Sequence, residues 1–179
     1  MNITLNRNLE ERIGSNRMII AAYAGAGKTT AAKLHPETVV DFVCMPYKYI
    51  LESLLEGADS ESRKANPDHV MREDWPWNYL AAIKGAMSGE KILLIPTDLN
   101  VLLLLRNDKI PYTLCYPERE ARENYRQRFI ARGNTDEFIE IFIGGWEERI
   151  AALEQDTYGK HIVLRDWEFL SDVIENINS

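Results

Sequence analysis

The residues whose types and spacing point most directly to chemistry lie in the stretch "AYAGAGKTT", which begins at Ala22. Gly27, Lys28 and Thr29 match the end of the pattern G-x-x-x-x-G-K-[ST], and Ala22 stands where that pattern has its first glycine. Glycines such as Gly25 and Gly27 let backbone N–H groups approach phosphate oxygens, and a helix N-terminus adds partial positive charge. In such a loop the lysine reaches the β- and γ-phosphates, and the threonine hydroxyl binds Mg²⁺. The alternative is a glycine-rich turn between a strand and a helix that binds nothing.

The stretch predicts a binding loop for the phosphates of a nucleoside triphosphate with Mg²⁺. The residues predicted to contact the nucleotide are Tyr23, Ala24, Gly25, Ala26, Gly27, Lys28, Thr29 and Thr30. This prediction requires a strand before the loop and a helix after it. The apolar run "RMIIAAY" (17–23) provides the strand, and a helical pattern continues from the loop to about Leu34.

The rest of the chain supplies the elements that must position this loop. Further short apolar runs are "TVVDFV" (38–43), "KILLIP" (91–96), "YTLCYP" (112–117) and "KHIVLR" (160–165). Continuous hydrophobicity over such a short length is typical of strands buried on both faces of a parallel sheet. Helical patterns follow these runs at 47–56, 77–89, 98–108, 118–156 and 168–177. The alternation predicts one three-layer α/β domain over residues 1–179.

The sequence also predicts where two helices begin and where one mobile loop lies. Asp98 precedes the apolar stretch after the third strand and suits an N-cap. The helical pair over 118–156 is interrupted at "RGN", where Asn134 is predicted to cap the second helix, with Glu137 completing a capping box. The polar stretch 57–74 is the predicted mobile loop.

Two acidic residues are candidates for a metal-binding or catalytic role beside the phosphates. Asp41 lies in an otherwise apolar strand, where a carboxylate is costly unless it is paired or at the carboxyl edge of the sheet. It is a candidate for contact with Mg²⁺-bound water, for contact with an acceptor hydroxyl, or for general base. Asp98 is a candidate Mg²⁺ ligand as well as a helix cap, and the sequence leaves both roles open.

Arginines are concentrated in 119–132. Helical spacing places Arg128 and Arg132 on one side, and Arg119, Arg122 and Arg126 on another. Guanidinium groups on a closing element clamp a transferring phosphoryl group and exclude water. Arg126, Arg128 and Arg132 are therefore candidate catalytic residues together with the loop lysine. A solvated helix held by salt bridges is the alternative.

Composition excludes other classes. The net charge of −7 and the pI of about 5.1 argue against a general nucleic-acid binder, which needs a basic face. No apolar run approaches the roughly 20 residues of a membrane span. Two distant cysteines, Cys44 and Cys115, are typical of reduced thiols in a cytosolic protein. Neither the spacing of the histidines nor any other pattern indicates a dedicated metal centre or an oligomeric state.

The layout resembles the nucleoside monophosphate kinases and their small relatives. The GTPase motifs D-x-x-G and N-K-x-D are absent, because "PTDLN" lacks the glycine and "RNDK" has the wrong order. An insert lies between the second and third strands, and the arginine-rich segment follows the fourth. The segment "YPEREARENYRQRFIARGNTDEFIEIF" is similar to the lid of small P-loop kinases of phages and bacteria. The residues that carry this similarity are Tyr125, Arg128, Arg132, Gly133 and Asn134.

This resemblance implies a cytoplasmic kinase that uses ATP and Mg²⁺ and has a five-stranded parallel sheet in the order 2-3-1-4-5. It implies an acceptor-binding insert at about 44–89 and a lid at about 118–134. The implied acceptor is a small molecule, foremost a nucleoside or deoxynucleoside monophosphate, with no nucleic-acid polymer and no membrane as partner. A kinase of another hydroxyl acceptor and a non-catalytic nucleotide-binding regulatory module are the alternatives.

The resemblance also assigns residues around the acceptor and the adenine. The candidates for acceptor binding are Asp41, Tyr47, Lys48, Trp77, Asn78 and Tyr79. An aromatic ring stacks on a nucleobase and an asparagine reads its edge, whereas packing of a Trp-Pro-Trp cluster against a helix is the alternative. Arg165 follows the fifth strand, where such kinases hold adenine, and it either stacks on the base or pairs with Asp166.

Overall fold

Five strands form a single parallel sheet in the computed structural model, which describes residues 19–50 and 70–178, with side chains up to residue 174. The strands are β1 (Ile19–Ala22), β2 (Val39–Asp41), β3 (Ile92–Pro96), β4 (Thr113–Pro117) and β5 (Lys160–Leu164). Their order across the sheet is β2-β3-β1-β4-β5, and every neighbouring pair is parallel. The predicted sheet is therefore confirmed in both order and direction.

Helices cover both faces of this sheet. They are α1 (Lys28–Leu34), α2 (Met45–Lys48), α3 (Trp77–Ala86), α4 (Leu99–Asn107), α5 (Arg122–Ala131), α6 (Asp136–Ile139), α7 (Trp146–Glu154) and α8 (Leu170–Asn178). A 3₁₀ turn at Arg119–Ala121 precedes α5, and a π-helical turn at Glu140–Gly144 connects α6 to α7. In the described part of the chain, no helix has the length and apolar character needed to cross a bilayer.

The core is divided by the sheet, as the alternation of side chains along a strand requires. Ile19 and Ala21 pack with apolar residues of α3, α4, α5 and α7 on one face. Ile20 and Ala22 pack with residues of α1 and α8 on the other face. All four of these β1 residues are buried, which explains why the strand reads as a continuous apolar run.

The helix predicted over 47–56 is wrong at its start. The structure has the short helix α2, which ends before Tyr49, and Tyr49 is extended and forms an antiparallel bridge with Met71. The Ile50 N–H donates to the carbonyl oxygen of Val70 at 2.9 Å, so the backbone here pairs across to a later segment instead of continuing a helix. The remainder, 51–56, lies outside the described residues.

The predicted mobile loop at 57–74 lies mostly outside the described residues, which resume at Val70. From Val70 onward the backbone is hydrogen-bonded to the segment after β2, because the Arg72 N–H donates to the Lys48 carbonyl oxygen at 2.9 Å. The Arg72 guanidinium also pairs with Asp74 at 2.9 Å.

The predicted N-cap at Asn134 is also wrong, and the residue after it takes that role. Thr135 is the N-cap of α6, and its hydroxyl accepts from the Phe138 N–H at 3.3 Å. Asn134 is used instead to end α5, because its N–H donates to the Phe129 carbonyl oxygen at 3.0 Å, after Gly133 with a φ of 72°. This is the hydrogen-bond pattern of a Schellman motif, which shifts the next helix start by one residue.

Candidate functional site

The phosphate loop, residues 23–27, turns sharply between β1 and α1. Gly25 and Gly27 have φ values of 81° and 92°, which side chains other than glycine rarely adopt. The Lys28 side chain folds back over the loop, and its Nζ donates to the carbonyl oxygens of Ala22 at 2.8 Å and Tyr23 at 3.2 Å. The ammonium group therefore lies over the loop that the sequence predicts to hold phosphates.

The predicted nucleotide contacts in this loop divide into exposed and buried groups. Ala24, Gly25, Gly27 and Lys28 are partly exposed, and Thr29 and Thr30 are exposed. Tyr23 and Ala26 are buried, so their side chains face the core.

Tyr23 explains why that position is aromatic. Its hydroxyl donates to the Phe142 carbonyl oxygen at 3.1 Å, and its ring lies edge-on to Tyr125, Phe142 and Trp146. Burial raises the pKa of the Tyr23 hydroxyl despite the opposing effect of the Arg149 charge. The side chain thus anchors the loop to the helices after β4, and only the backbone of Tyr23 remains for contact with phosphates.

Thr29 and Asp41 meet beside the loop, at the carboxyl edge of the sheet. The Thr29 hydroxyl, in the first turn of α1, donates to Asp41 Oδ2 at 2.6 Å, from the last residue of β2. The structure thereby brings together the hydroxyl and the carboxylate that the sequence marked as neighbours of Mg²⁺. Hydroxyl and carboxylate oxygens are the hard ligands that Mg²⁺ takes in small number beside phosphates and water, so these residues fit the ion.

Asp98 has two functions in the structure. Its carboxylate caps α4, accepting from the N–H groups of Asn100 at 3.1 Å and Val101 at 3.4 Å. The other oxygen pairs with Lys48 Nζ at 3.1 Å. Asp98 is therefore confirmed as the N-cap of α4, and its role at a metal ion stays a prediction.

Lys48 is a fixed, partly buried cation. Its Nζ also lies 5.1 Å from the centroid of the Trp75 ring. Burial disfavours the charged form, but the attraction and hydrogen bond of Asp98 more than offset this and raise the pKa of Lys48. The group keeps its charge over the physiological range, at the side of the sheet where β2 and β3 end.

The other predicted acceptor residues differ in what they leave accessible. Asn78 is held by its neighbours, because its Nδ2 donates to the Tyr47 carbonyl oxygen at 2.7 Å and to Asp74 at 3.1 Å. Tyr79 is fully buried, and its hydroxyl donates to the Phe42 carbonyl oxygen. Trp77 is 62% exposed at the start of α3, and Tyr47 is half-buried. The packing alternative thus describes Asn78, Tyr79 and the ring of Tyr47, which stacks on Phe42 and contacts Tyr79. Trp77 remains available to a ligand.

The three arginines that the sequence marks as catalytic candidates lie in three different places. Arg128 is partly buried, and its guanidinium carbon lies 4.0 Å from the Phe169 ring centroid and 4.6 Å from that of Tyr125. Arg126 points to another side, where it lines a cavity of about 380 Å³ between α5, α6 and the π-helical turn, 3.7 Å from Glu123. Arg132 is exposed just after the last residue of α5. The structure therefore does not bring Arg126 and Arg128 together, and the catalytic roles of all three stay predictions.

Arg119 is committed to salt bridges, as the alternative interpretation of this segment expects. It contacts Glu147 at 2.9 Å and Glu154 at 2.5 Å on α7. These contacts attach the start of the arginine-rich segment to the helix that follows it.

The loop between β5 and α8, residues 165–169, lies against the phosphate loop. The Leu170 N–H donates to the Ala26 carbonyl oxygen at 2.9 Å, and a Cβ on Gly27 would lie 3.3 Å from Phe169 Cδ1. Arg165 is exposed, and its guanidinium lies 5.5 Å from the Trp167 ring centroid. Sequence analysis assigned no role to Phe169, which meets the site only through long-range packing, and it considered Trp75 only as part of the Trp-Pro-Trp cluster.

One comparison with known proteins bears on this geometry. The chain is similar to the crystal structure of a gluconokinase from Sinorhizobium meliloti 1021, with a TM-score of 0.52 and 11% sequence identity. The match covers 90% of this chain and 89% of that chain. This chain has the fold of a P-loop kinase. No protein-family model and no curated protein sequence matches this chain. At 11% identity, the similarity to the gluconokinase structure shows the fold alone.

Proposed function

We propose that this protein is a P-loop kinase that transfers the γ-phosphoryl group of ATP, with Mg²⁺, to a small acceptor bound beside Lys48. The observation that carries the proposal is the contact of Thr29 with Asp41 at 2.6 Å, directly after a phosphate loop covered by Lys28. A carboxylate beside the loop threonine suits a nucleotide that binds together with Mg²⁺. Phosphoryl transfer uses this arrangement, because it depends on positioning and on neutralising charge around the metal and the phosphates.

The residues of the chain have separate tasks in this reaction. Lys28 exchanges its two carbonyl partners for the β- and γ-phosphates, and the phosphate loop supplies backbone N–H groups. Thr29 would hold the metal, and Asp41 would accept a hydrogen bond from its water shell or from the acceptor hydroxyl. When bound, Mg²⁺ would supply positive charge that neutralises the phosphate oxygens. Arg132, exposed just after α5, is the candidate for contact with the transferring group.

The acceptor is a nucleoside or deoxynucleoside monophosphate in this proposal. Lys48 would hold its phosphate, since the ammonium is already positioned by Asp98 and the Trp75 ring. The exposed ring of Trp77 is available to stack on the base.

A second candidate acceptor is a sugar acid or another small hydroxyl compound. The similar solved structure is a gluconokinase, and the partner of Lys48, Asp98, is a carboxylate able to accept from hydroxyl groups. Both candidate acceptors receive the phosphoryl group from a nucleotide on the same phosphate loop. They differ only in the chemical group of the acceptor that Lys48 contacts.

A coupled ADP-release assay separates these candidates. The panel consists of nucleoside and deoxynucleoside monophosphates, sugar acids and polyols, each with ATP and Mg²⁺. Turnover that depends on one monophosphate supports the proposed acceptor. Turnover only with a sugar acid or polyol supports the second candidate acceptor instead. Tight ATP binding without acceptor-dependent turnover identifies a nucleotide-binding module and refutes kinase activity.

A further inference from the structure

A π-helical turn far along the chain is hydrogen-bonded to the phosphate loop. The turn is Glu140–Gly144, and the carbonyl oxygen of its middle residue, Phe142, accepts from the Tyr23 hydroxyl at 3.1 Å. Tyr23 is the first residue of the phosphate loop, and it lies 119 positions before Phe142 in the sequence. The Tyr23 ring is buried, and a hydrogen bond formed away from water is electrostatically stronger. The positions of the turn and of the loop are therefore linked.

Two arginines hold the carbonyl oxygens on either side of Phe142. Arg149 Nε, from α7, donates to the carbonyl oxygen of Ile141 at 2.8 Å, and its guanidinium lies 5.1 Å from the Phe142 ring centroid. Arg122, from α5, donates to the carbonyl oxygen of Ile143 from Nε at 3.2 Å and from Nη2 at 3.1 Å. Among the described residues, neither arginine forms an ion pair with an acidic side chain. Both guanidinium groups are thus committed to the backbone of the turn.

Packing alone does not hold this turn in place. Three of its residues, Glu140, Ile143 and Gly144, line the cavity of about 380 Å³ between α5, α6 and the turn. A group that borders a cavity lacks packing partners on that side. The backbone position of the turn therefore depends on its hydrogen bonds, and those donated by a charged guanidinium are stronger than neutral ones.

We propose that Arg122 and Arg149 are positioning residues for nucleotide binding, which act through the Phe142 carbonyl group and the Tyr23 hydroxyl on the backbone of the phosphate loop. Loss of either arginine lets the turn shift into the cavity and weakens its bond with Tyr23. The loop N–H groups that bind phosphate are then held less firmly. The inference rests on the proposed function, because it requires a nucleotide on this loop.

Calorimetric titration of the protein with ADP and Mg²⁺ tests this inference without any acceptor. Tyr23→Phe keeps the buried ring and removes the hydroxyl, so ADP binding is expected to weaken about three- to tenfold, the effect of one hydrogen bond. Arg149→Ala is expected to weaken ADP binding by a similar factor. Because both changes act through one carbonyl group, the double variant is expected to bind ADP within about twofold of the weaker single variant. Affinity losses that multiply, or an unchanged affinity in either single variant, overturn the inference.

Two control variants remove comparable groups elsewhere. Arg119→Ala removes an arginine that is also bound to α7, through Glu147 and Glu154. Tyr116→Phe removes the hydroxyl of another buried tyrosine, which is hydrogen-bonded to His161 at 2.9 Å. Both controls are expected to lower the free energy of unfolding and to keep the affinity for ADP within about twofold of wild type. Control variants that lose as much affinity as Tyr23→Phe and Arg149→Ala would overturn the inference, because general destabilisation would then explain every loss.

Arg149→Lys keeps the test decisive if Arg149→Ala does not fold. It retains the positive charge but places a methylene group where Arg149 has its donating Nε, so ADP binding is expected to weaken about threefold. Unchanged ADP binding in Arg149→Lys overturns the inference.

Hydrogen exchange of the loop amides, residues 23–27, separates this inference from the proposed function, because it needs no nucleotide. Faster exchange is expected in Tyr23→Phe and Arg149→Lys, and exchange as in wild type is expected in Arg119→Ala. Unchanged exchange in Tyr23→Phe and Arg149→Lys overturns the inference whatever the turnover. Acceptor-dependent turnover that is absent while the ADP and exchange results hold refutes the kinase activity alone.

Discussion

At the scale of single residues, the site consists of groups whose present hydrogen-bond partners a bound nucleotide would replace. Lys28 donates to two carbonyl oxygens of the loop it covers, and Thr29 donates to Asp41. A triphosphate and its metal offer each of these groups a more strongly charged partner, since hydrogen bonds between ionised groups are shorter and stronger than neutral ones. The present contacts therefore hold the side chains near the geometry that binding requires.

Replacing Lys28 tests the role of the ammonium. Lys28→Ala is expected to lower kcat/KM at least about 100-fold, because one donor to the charge that develops in the transition state is lost. The matched control is Lys33→Ala, which removes the same charge from the exposed end of α1. Steady-state kinetics at saturating Mg²⁺ measures both, and equal rates for the two variants would refute the assignment.

Replacing Asp41 tests the metal side of the site. Asp41→Asn keeps the shape but removes the charge, so the Mg²⁺ concentration for half-maximal rate is expected to rise about 10- to 100-fold. Glu37→Gln, an exposed residue just before β2, is the control for net charge. A Mg²⁺ titration of activity makes the comparison, and an unchanged midpoint in Asp41→Asn would exclude a role at the metal.

At the scale of elements, the site depends on how closely α5 approaches the phosphate loop. A Cβ on Gly25 would lie 2.8 Å from Phe129 Cε1 and 3.2 Å from Tyr125 Cδ1. Both aromatic residues are fully buried on α5. The first helix of the predicted lid is thus a fixed wall of the loop, and Gly25 is required for packing as well as for its backbone conformation.

This close approach predicts a large difference between two glycines. Gly25→Ala is expected to lower the free energy of unfolding by about 2 kcal/mol or more, through backbone strain and steric overlap. Gly85→Ala, inside α3 with nothing within 4 Å, is expected to raise it by about 0.5–1 kcal/mol. Urea unfolding measures both values, and a neutral Gly25→Ala would show that the loop and α5 are not in contact.

Elements with a strong local signal were predictable from the sequence. Five apolar runs identified the strands, and the glycine-rich pattern located the phosphate loop and α1. The cap at Asn134 failed because a Schellman motif at the end of α5 competes for the same residue, and the motif is decided by the φ of Gly133. The contacts of Phe169 with Gly27 and of Trp75 with Lys48 could not be predicted, since they arise only when distant segments pack together.

At the scale of the whole molecule, the buried Asp156 carboxylate connects α4 with the segments that precede β4 and β5. Asp156 accepts from the Tyr112 hydroxyl at 2.6 Å and from Arg106 at 2.7 Å. Its other oxygen accepts from the N–H groups of Tyr158 at 2.8 Å and Gly159 at 2.9 Å. Burial raises the pKa of this carboxyl, but these donors outweigh it and the pKa is held below its ordinary value.

The sign of that shift predicts sensitivity to acid. A carboxyl with a lowered pKa in the folded state stabilises the fold above the pKa of the unfolded state, about 3.9, and loses this effect as the pH falls through the folded pKa. Asp156→Asn is expected to cost about 1.5–3 kcal/mol near pH 7, and less as the pH drops below about 4. Urea unfolding at pH 7 and pH 3 tests this, and an equal deficit at both values would contradict it.

The central claim is that a phosphoryl group leaves ATP on this loop and reaches an acceptor. The most direct measurement incubates the protein with Mg²⁺, each acceptor of the panel and ATP labelled in its γ-phosphoryl group, and follows the label by chromatography. The account predicts that label appears on one class of small acceptor with wild type and Lys33→Ala, and not with Lys28→Ala. Label that stays on ATP, or appears only as inorganic phosphate with every acceptor, would contradict it.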